Sequence, residues 1–161
     1  ALLDGAAERY GRIDVLVNNA GLGGSVAVQD MTDEQWSRVL DVTLTGTFRA
    51  TRAAINRFIA QGGGGVIVNN ASVIGWRAQA EQAHYAAAKA GVVNYTKTAA
   101  LEVAQDGITV NCICPGWVET PLIEPQIEAR MGTGSRDDGV RALLSEKQPS
   151  LRMTLPAERA T

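Results

Sequence analysis

The sequence predicts an α/β fold built on a parallel sheet, and three observations carry that reading. Short runs rich in β-branched residues, Ile13–Val17, Val66–Val68 and Ile108–Ile113, alternate with longer segments of helical periodicity. The runs are apolar almost throughout, as in strands that helices cover on both faces of a doubly wound sheet. Strands separated by helices pair in parallel, through right-handed crossovers.

Each element has its own local cause. Residues 2–10 have the pattern of a helix, and Gly11 stops it. Ile13–Val17 then runs into the turn residues Asn18-Asn19-Ala20-Gly21. Thr32-Asp33-Glu34-Gln35 is a capping box, the threonine bonding forward and the glutamine reaching back. It opens one long helix, expected to reach Ile59 before Gly62–Gly65 ends it. After Val66–Val68 comes a loop of small residues, then an alanine-rich helix over Ala83–Ala104. Ile108–Ile113 is closed by Pro115-Gly116. Residues 121–147 read as two short helices around Gly132-Thr133-Gly134-Ser135, and Pro156–Thr161 as the first turn of another.

Composition narrows the class. A chain of 161 residues with 45% hydrophobic and 20% charged residues suits one globular domain. A net charge of -2 offers no basic field to nucleic acid or anionic lipid. No apolar run approaches the ~18 residues of a membrane span, and Ala1 opens into a polar helical pattern without a signal peptide. A cytoplasmic protein with a small-molecule partner is therefore expected. Cys112 and Cys114 share one side of a strand, where a bridge would be strained, so they read as buried reduced thiols. No Gly-x-Gly-x-x-Gly phosphate cradle is present: Gly21-Leu22-Gly23-Gly24 has valine at position 26, and Gly62–Gly65 precedes a strand instead of following one.

The chemistry concentrates in Tyr85-Ala86-Ala87-Ala88-Lys89, which sets a phenol and an ammonium one helical turn apart with only alanines between. A cation there favours the phenolate and is expected to lower the tyrosine pKa, suiting Tyr85 to exchange a proton with an alcohol or carbonyl oxygen. Ser72 lies thirteen residues upstream, just past a strand end. Asn18–Gly21 and Pro115-Gly116 occupy the equivalent places after the other strands, so three strand ends supply one rim, where open α/β sheets bind ligands.

In these pieces, Asp14–Gly21 (DVLVNNAG), Ser72, Tyr85–Lys89 (YAAAK) and Asn111–Thr120 (NCICPGWVET), the chain resembles the short-chain dehydrogenases/reductases. The resemblance implies a Rossmann-like doubly wound sheet, and residues 1–161 match only the middle and later parts of that domain. The N-terminal βαβ half and the final strand are expected to be absent, leaving a fragment with an open sheet edge that does not bind NAD(H) alone. It implies Tyr85 as general acid/base, Lys89 on the nicotinamide ribose and Ser72 on the substrate oxygen. It also implies Asn19, Ala20 and Gly21 along the cofactor, with Pro115, Gly116, Val118 and Thr120 beside the nicotinamide. NAD is the expected cofactor, with NADP as the alternative. Residues 121–150 would form a substrate lid, and the two long helices would pair into a homotetramer or dimer.

Two departures qualify the resemblance. The family's catalytic asparagine is replaced by Thr43, whose hydroxyl is a weaker support for a water relay behind the lysine. That change keeps open a second reading, a catalytically weak or silent relative with a scaffold or binding role. The tail, with Trp117, Thr120-Pro121-Leu122, Gln126 and Ser145–Leu151, is similar to D-3-hydroxybutyrate dehydrogenases, which implies Gln126 and Trp117 at the substrate. Yet Gly23, Ile74 and Gln82 replace the glutamine, histidine and lysine that would hold a carboxylate there. A neutral or different substrate is the equal alternative. Of the remaining residues, Trp36 reads as packing, His84 as a bystander, and Arg49, Arg52 and Arg57 as a solvated helix face.

Overall fold

The protein is described by a computed structural model that covers residues 2–145, 148 and 150–159. Glu146, Lys147 and Pro149 of the tail run, and Ala160 and Thr161 of the expected closing turn, lie outside the described residues. Two compact units divide the chain, Ala1–Cys114 and Pro115–Thr161.

In the first unit, α1 (Leu2–Tyr10) leads to β1 (Val15–Asn18), and Gly11 takes the left-handed φ of 86° that ends the helix. β1, β2 (Gly65–Asn70) and β3 (Ile108–Ile113) form a parallel sheet in that order, with Leu16 opposite Ile67 and Ile67 opposite Val110. β2 runs two residues beyond the expected Val68, because Asn69 and Asn70 still pair with Cys112 and Ile113. Helices α3 (Gly46–Gln61) and α4 (Ala83–Val103) bury Ala54, Phe58, Ala99 and Val103 against Ile67, Ile108 and Val110. Gly65 makes this fit possible: a Cβ there would stand 2.3 Å from the Phe58 ring.

The core around Phe58 and Ile67 lies on one face of the sheet, while Val15, Val17, Val66 and Ile113 on the other are exposed. The expected single long helix is broken. The capping box forms as expected, Thr32 Oγ1 accepting from Gln35 N at 3.2 Å and Gln35 Oε1 from Thr32 N at 2.9 Å. However, α2 (Asp33–Leu40) passes into a π turn over Asp41–Thr45 before α3 begins. The extra residue in that turn carries Thr43 inward, where it is fully buried and bonds the loop after β1.

The second unit contains the two expected helices, α5 (Glu124–Met131) and α6 (Arg136–Leu144). A second capping box, Ser135 with Asp138, starts α6. Ile123, Ile127, Leu143, Leu144 and Met153 form its core, with Trp117 packed against them. Gly139 lets the helices close, since a Cβ there would lie 2.6 Å from the Ile127 carbonyl oxygen. Arg136 ties the pair together through Glu124 at 2.7 and 3.0 Å and Glu119 at 3.2 Å.

Candidate active site

Three segments of the first unit deliver the expected triad to one place. Ser72 follows β2 in extended backbone, and its Oγ accepts the Ile74 N–H at 3.2 Å. The short turn after it rests directly on α4, because Gly75 has no side chain: a Cβ would stand 3.0 Å from the Lys89 carbonyl oxygen. That close contact sets the Ser72 hydroxyl beside the Tyr85 hydroxyl, where it eases ionisation of the phenol. One turn further along α4, the Lys89 ammonium lies 5.6 Å from the Tyr85 ring centre and donates to the Asn70 carbonyl at 2.5 Å.

The electrostatics differ from the expected ones. Burial dominates Tyr85 and pushes its phenol above the ordinary 10.0, with the Ser72 hydroxyl pulling part of the way back. Burial likewise lowers Lys89 from 10.5, while the nearby Cys114 opposes that shift. The expected depression of Tyr85 is therefore reversed here: removing water from a neutral phenol costs less than removing it from a phenolate.

Behind the triad, side chains at the strand ends form a polar chain. Asn18 Nδ2 donates to Asn69 Oδ1 at 2.8 Å and to Thr51 Oγ1 at 2.9 Å, and Asn69 Nδ2 donates to Thr96 Oγ1 at 2.9 Å. Asn70 Nδ2 donates to Asn19 Oδ1 at 2.7 Å. Thr43 Oγ1 accepts from Leu22 N at 3.0 Å and donates to Leu22 O at 3.3 Å, fixing the segment that follows Gly21. Sequence reasoning gave Thr43 a relay role and did not find this anchoring, which depends on the path of the loop.

His84 also differs from its expected bystander role. It is 2% exposed, and a Cβ on Gly24 would stand 3.1 Å from its Nε2. Gly23 lies over the neighbouring Tyr85 ring, where a Cβ would be 3.9 Å from Cδ2. Gln82 Nε2 donates to the Gly24 carbonyl, Ser25 Oγ donates to Glu81 Oε2 at 2.5 Å, and Val26 N donates to Glu81 O at 3.0 Å. The start of α4 thus clasps the loop 23–26 against the two rings. The glycines that failed as a phosphate cradle serve this close contact.

The residues also fit the nicotinamide-ribose end of a dinucleotide. Gly21 leaves the space over Lys89 open, since a Cβ there would lie 3.6 Å from Nζ. The ammonium has donors beyond the one given to Asn70, and Asn19 and Ala20 flank the same strand end. Pro115, Gly116, Trp117, Val118, Thr120 and Gln126 all belong to the second unit. There Val118 bridges to Thr154, Gly116 faces Gln148 and Gln126 is half-buried on α5.

Among the other singled-out residues, Arg49 and Arg52 are exposed as expected, Arg49 facing Asp41 and Arg52 the Phe48 ring. Arg57 is half-buried. Trp36 is 39% exposed, so it packs less than expected. The cysteines are half-buried rather than buried, and both are free thiols. No helix among the described residues is long and apolar enough to cross a membrane.

Comparison with known proteins agrees with this arrangement. The chain is 54% identical over 131 residues to (5R,7aS)-5-hydroxy-7a-methyl-1-oxo-2,3,5,6,7,7a-hexahydro-1H-indene-carboxyl-CoA reductase of Mycobacterium tuberculosis, covering 81% of this chain and 50% of that protein. It is 42% identical to D-beta-hydroxybutyrate dehydrogenase of Cupriavidus necator, over 95% of this chain and 60% of the relative. A variant of actinorhodin polyketide ketoreductase solved with NADPH superposes with a TM-score of 0.89 at 40% identity, covering 99% of this chain and 62% of the other. The chain spans about half to three-fifths of the length of these relatives. Residues 1–130 match the sequence profile of the short chain dehydrogenases, and the chain belongs to that family.

Proposed function

We propose that Ser72, Tyr85 and Lys89 interconvert an alcohol and its ketone with NAD or NADP as hydride carrier. The observation that carries this is the Ser72 hydroxyl beside Tyr85, with the Lys89 ammonium 5.6 Å from the Tyr85 ring one turn away on the same helix. When bound, the nicotinamide accepts or supplies the hydride at the carbinol carbon. In ketone reduction Tyr85 gives its hydroxyl proton to the substrate oxygen, and Ser72 donates a hydrogen bond to that oxygen. Lys89, held by Asn70, stabilises the phenolate that results and bonds the ribose beside Gly21. Asn19 and Ala20 would line the cofactor, and Pro115, Gly116, Val118 and Thr120 would border its nicotinamide.

A bulky ketone with no carboxylate close to the reacting carbon suits this clasp better than a small hydroxy acid. Gln82 spends its amide on the Gly24 carbonyl, and Gly23 and Ile74 offer no side-chain donor to a carboxylate. The name of the relative at 54% identity, a reductase of a bicyclic acyl-CoA, points the same way. Residues 121–150 would close over the substrate, with Trp117 and Gln126 lining it. Exposed Phe48 and Leu101 on α3 and α4 suit pairing of copies into a dimer or tetramer, and the free thiols suit a cytoplasmic setting.

The test is turnover of the complete polypeptide with NAD(H) and NADP(H) over a ketone panel. Tyr85→Phe should lower kcat by about 100- to 10,000-fold. Unchanged turnover in Tyr85→Phe would remove the mechanism, and no turnover by the complete polypeptide would leave a scaffold or binding role.

A further inference from the structure

Cys112 and Cys114 sit two residues apart at the end of β3, packed with Ala71, Val92, Val93 and Leu44. The two thiols lie close enough to influence each other's ionisation, and Cys112 also lies near Thr96. Trp76 caps the pair: its indole N–H donates to Cys114 Sγ at 3.3 Å. The Lys97 ammonium stands 4.6 Å from the Trp76 ring centre, and Lys89 interacts electrostatically with Cys114. Both cysteines are half-buried free thiols. The catalytic reading uses neither thiol.

We propose that Cys112 and Cys114, capped by Trp76, form a two-sulfur site for a soft thiophilic centre such as trivalent arsenic or a univalent coinage-metal cation. Softness selects the ligand, because paired thiolates favour such centres over the hard cations that carboxylates bind. Geometry selects it too. A disulfide needs the sulfurs about 2.05 Å apart, which two cysteines flanking one strand residue reach only by distorting the backbone. A single bridging atom spans a wider gap and leaves β3 in place. Burial and the neighbouring Cys114 push the Cys112 thiol up while Lys97 opposes that shift, so the bond forms with release of the thiol protons. With an organoarsenic oxide, two S–As bonds form while two S–H bonds and the As–O double bond break. One water leaves, and nothing is oxidised or reduced. With a univalent cation, two S–metal bonds form and the displaced protons go to solvent.

The probe is phenylarsine oxide added to the reduced chain, read by intact mass, thiol titration and tryptophan emission. These readouts involve no turnover, so they stand or fall apart from the Ser72–Tyr85–Lys89 mechanism. One arsenical should add per chain with loss of one water, both thiols should vanish from titration, and emission should be quenched. Cys112→Ser and Cys114→Ser, and their alanine counterparts, should each weaken binding by about 100-fold or more, since one-sulfur attachment loses the gain of a second tethered contact. Trp76→Phe should remove most of the emission change and keep the stoichiometry. Binding of two arsenicals per chain, full affinity in either folded single-cysteine variant, or no uptake by the folded chain would overturn the proposal.

Discussion

At the scale of single residues, the site trades solvation for chemistry. Burial pushes the Tyr85 phenol above its ordinary 10.0, so near neutrality it carries the proton that the proposed ketone reduction would draw on. Oxidation of the alcohol needs the phenolate, so its rate should climb as pH rises toward and past that value, while reduction should be flat near neutrality and fall at the same alkaline limb. Parallel pH–rate profiles of the two directions test this, and an oxidation rate that does not rise with pH contradicts it. Thr43 gives a second expectation. Thr43→Val keeps the shape but removes both bonds to Leu22, each worth about 1 kcal/mol, so the cofactor KM should rise about fivefold with a smaller change in kcat. Thr43→Ser should restore it; a pure kcat effect would argue for the relay instead. The placement of Ser72 at a strand end and of Tyr85 and Lys89 one helix turn apart was legible in their spacing, while their roles were implied by the family resemblance. His84 was not, since its role comes from Gly24, sixty residues away in sequence and adjacent only after folding.

At the scale of elements, local signals were read well where they are self-contained. The Thr32 box and β3 form where the sequence puts them, because a cap and a β-branched run need no distant partner. The π turn at Asp41–Thr45 escaped, as the residue that rewards it, Leu22, lies outside the helix. The same logic locates the weak point of the second unit. Gly139→Ala would push a methyl to within 2.6 Å of the Ile127 carbonyl and part α5 from α6. A loss of about 1–3 kcal/mol is expected in denaturant unfolding of that unit. A change below a few tenths would mean that the helices re-seat without strain.

At the scale of the molecule, the parallel order and the α/β class were legible from the alternation of strands and helices, but the uncovered face was not. Apolar strands look alike whether one or both sides are buried, so only the folded chain shows Val15 at 55% and Val17 at 60% exposure. That face should bind an apolar dye such as anilinonaphthalene sulfonate, and Val15→Thr with Val17→Thr should cut the emission by at least about half, because contiguous apolar surface is what such dyes report. Undiminished emission would locate the dye elsewhere. The asparagine chain behind the triad has a different consequence, one of motion. Asn18 fastens β1 to β2, and Asn69 fastens β2 to Thr96 on α4. Peeling either strand away must strand an amide where water cannot solvate it, so opening one ladder without the other is disfavoured. The floor under the phenol and ammonium therefore breathes as a single block.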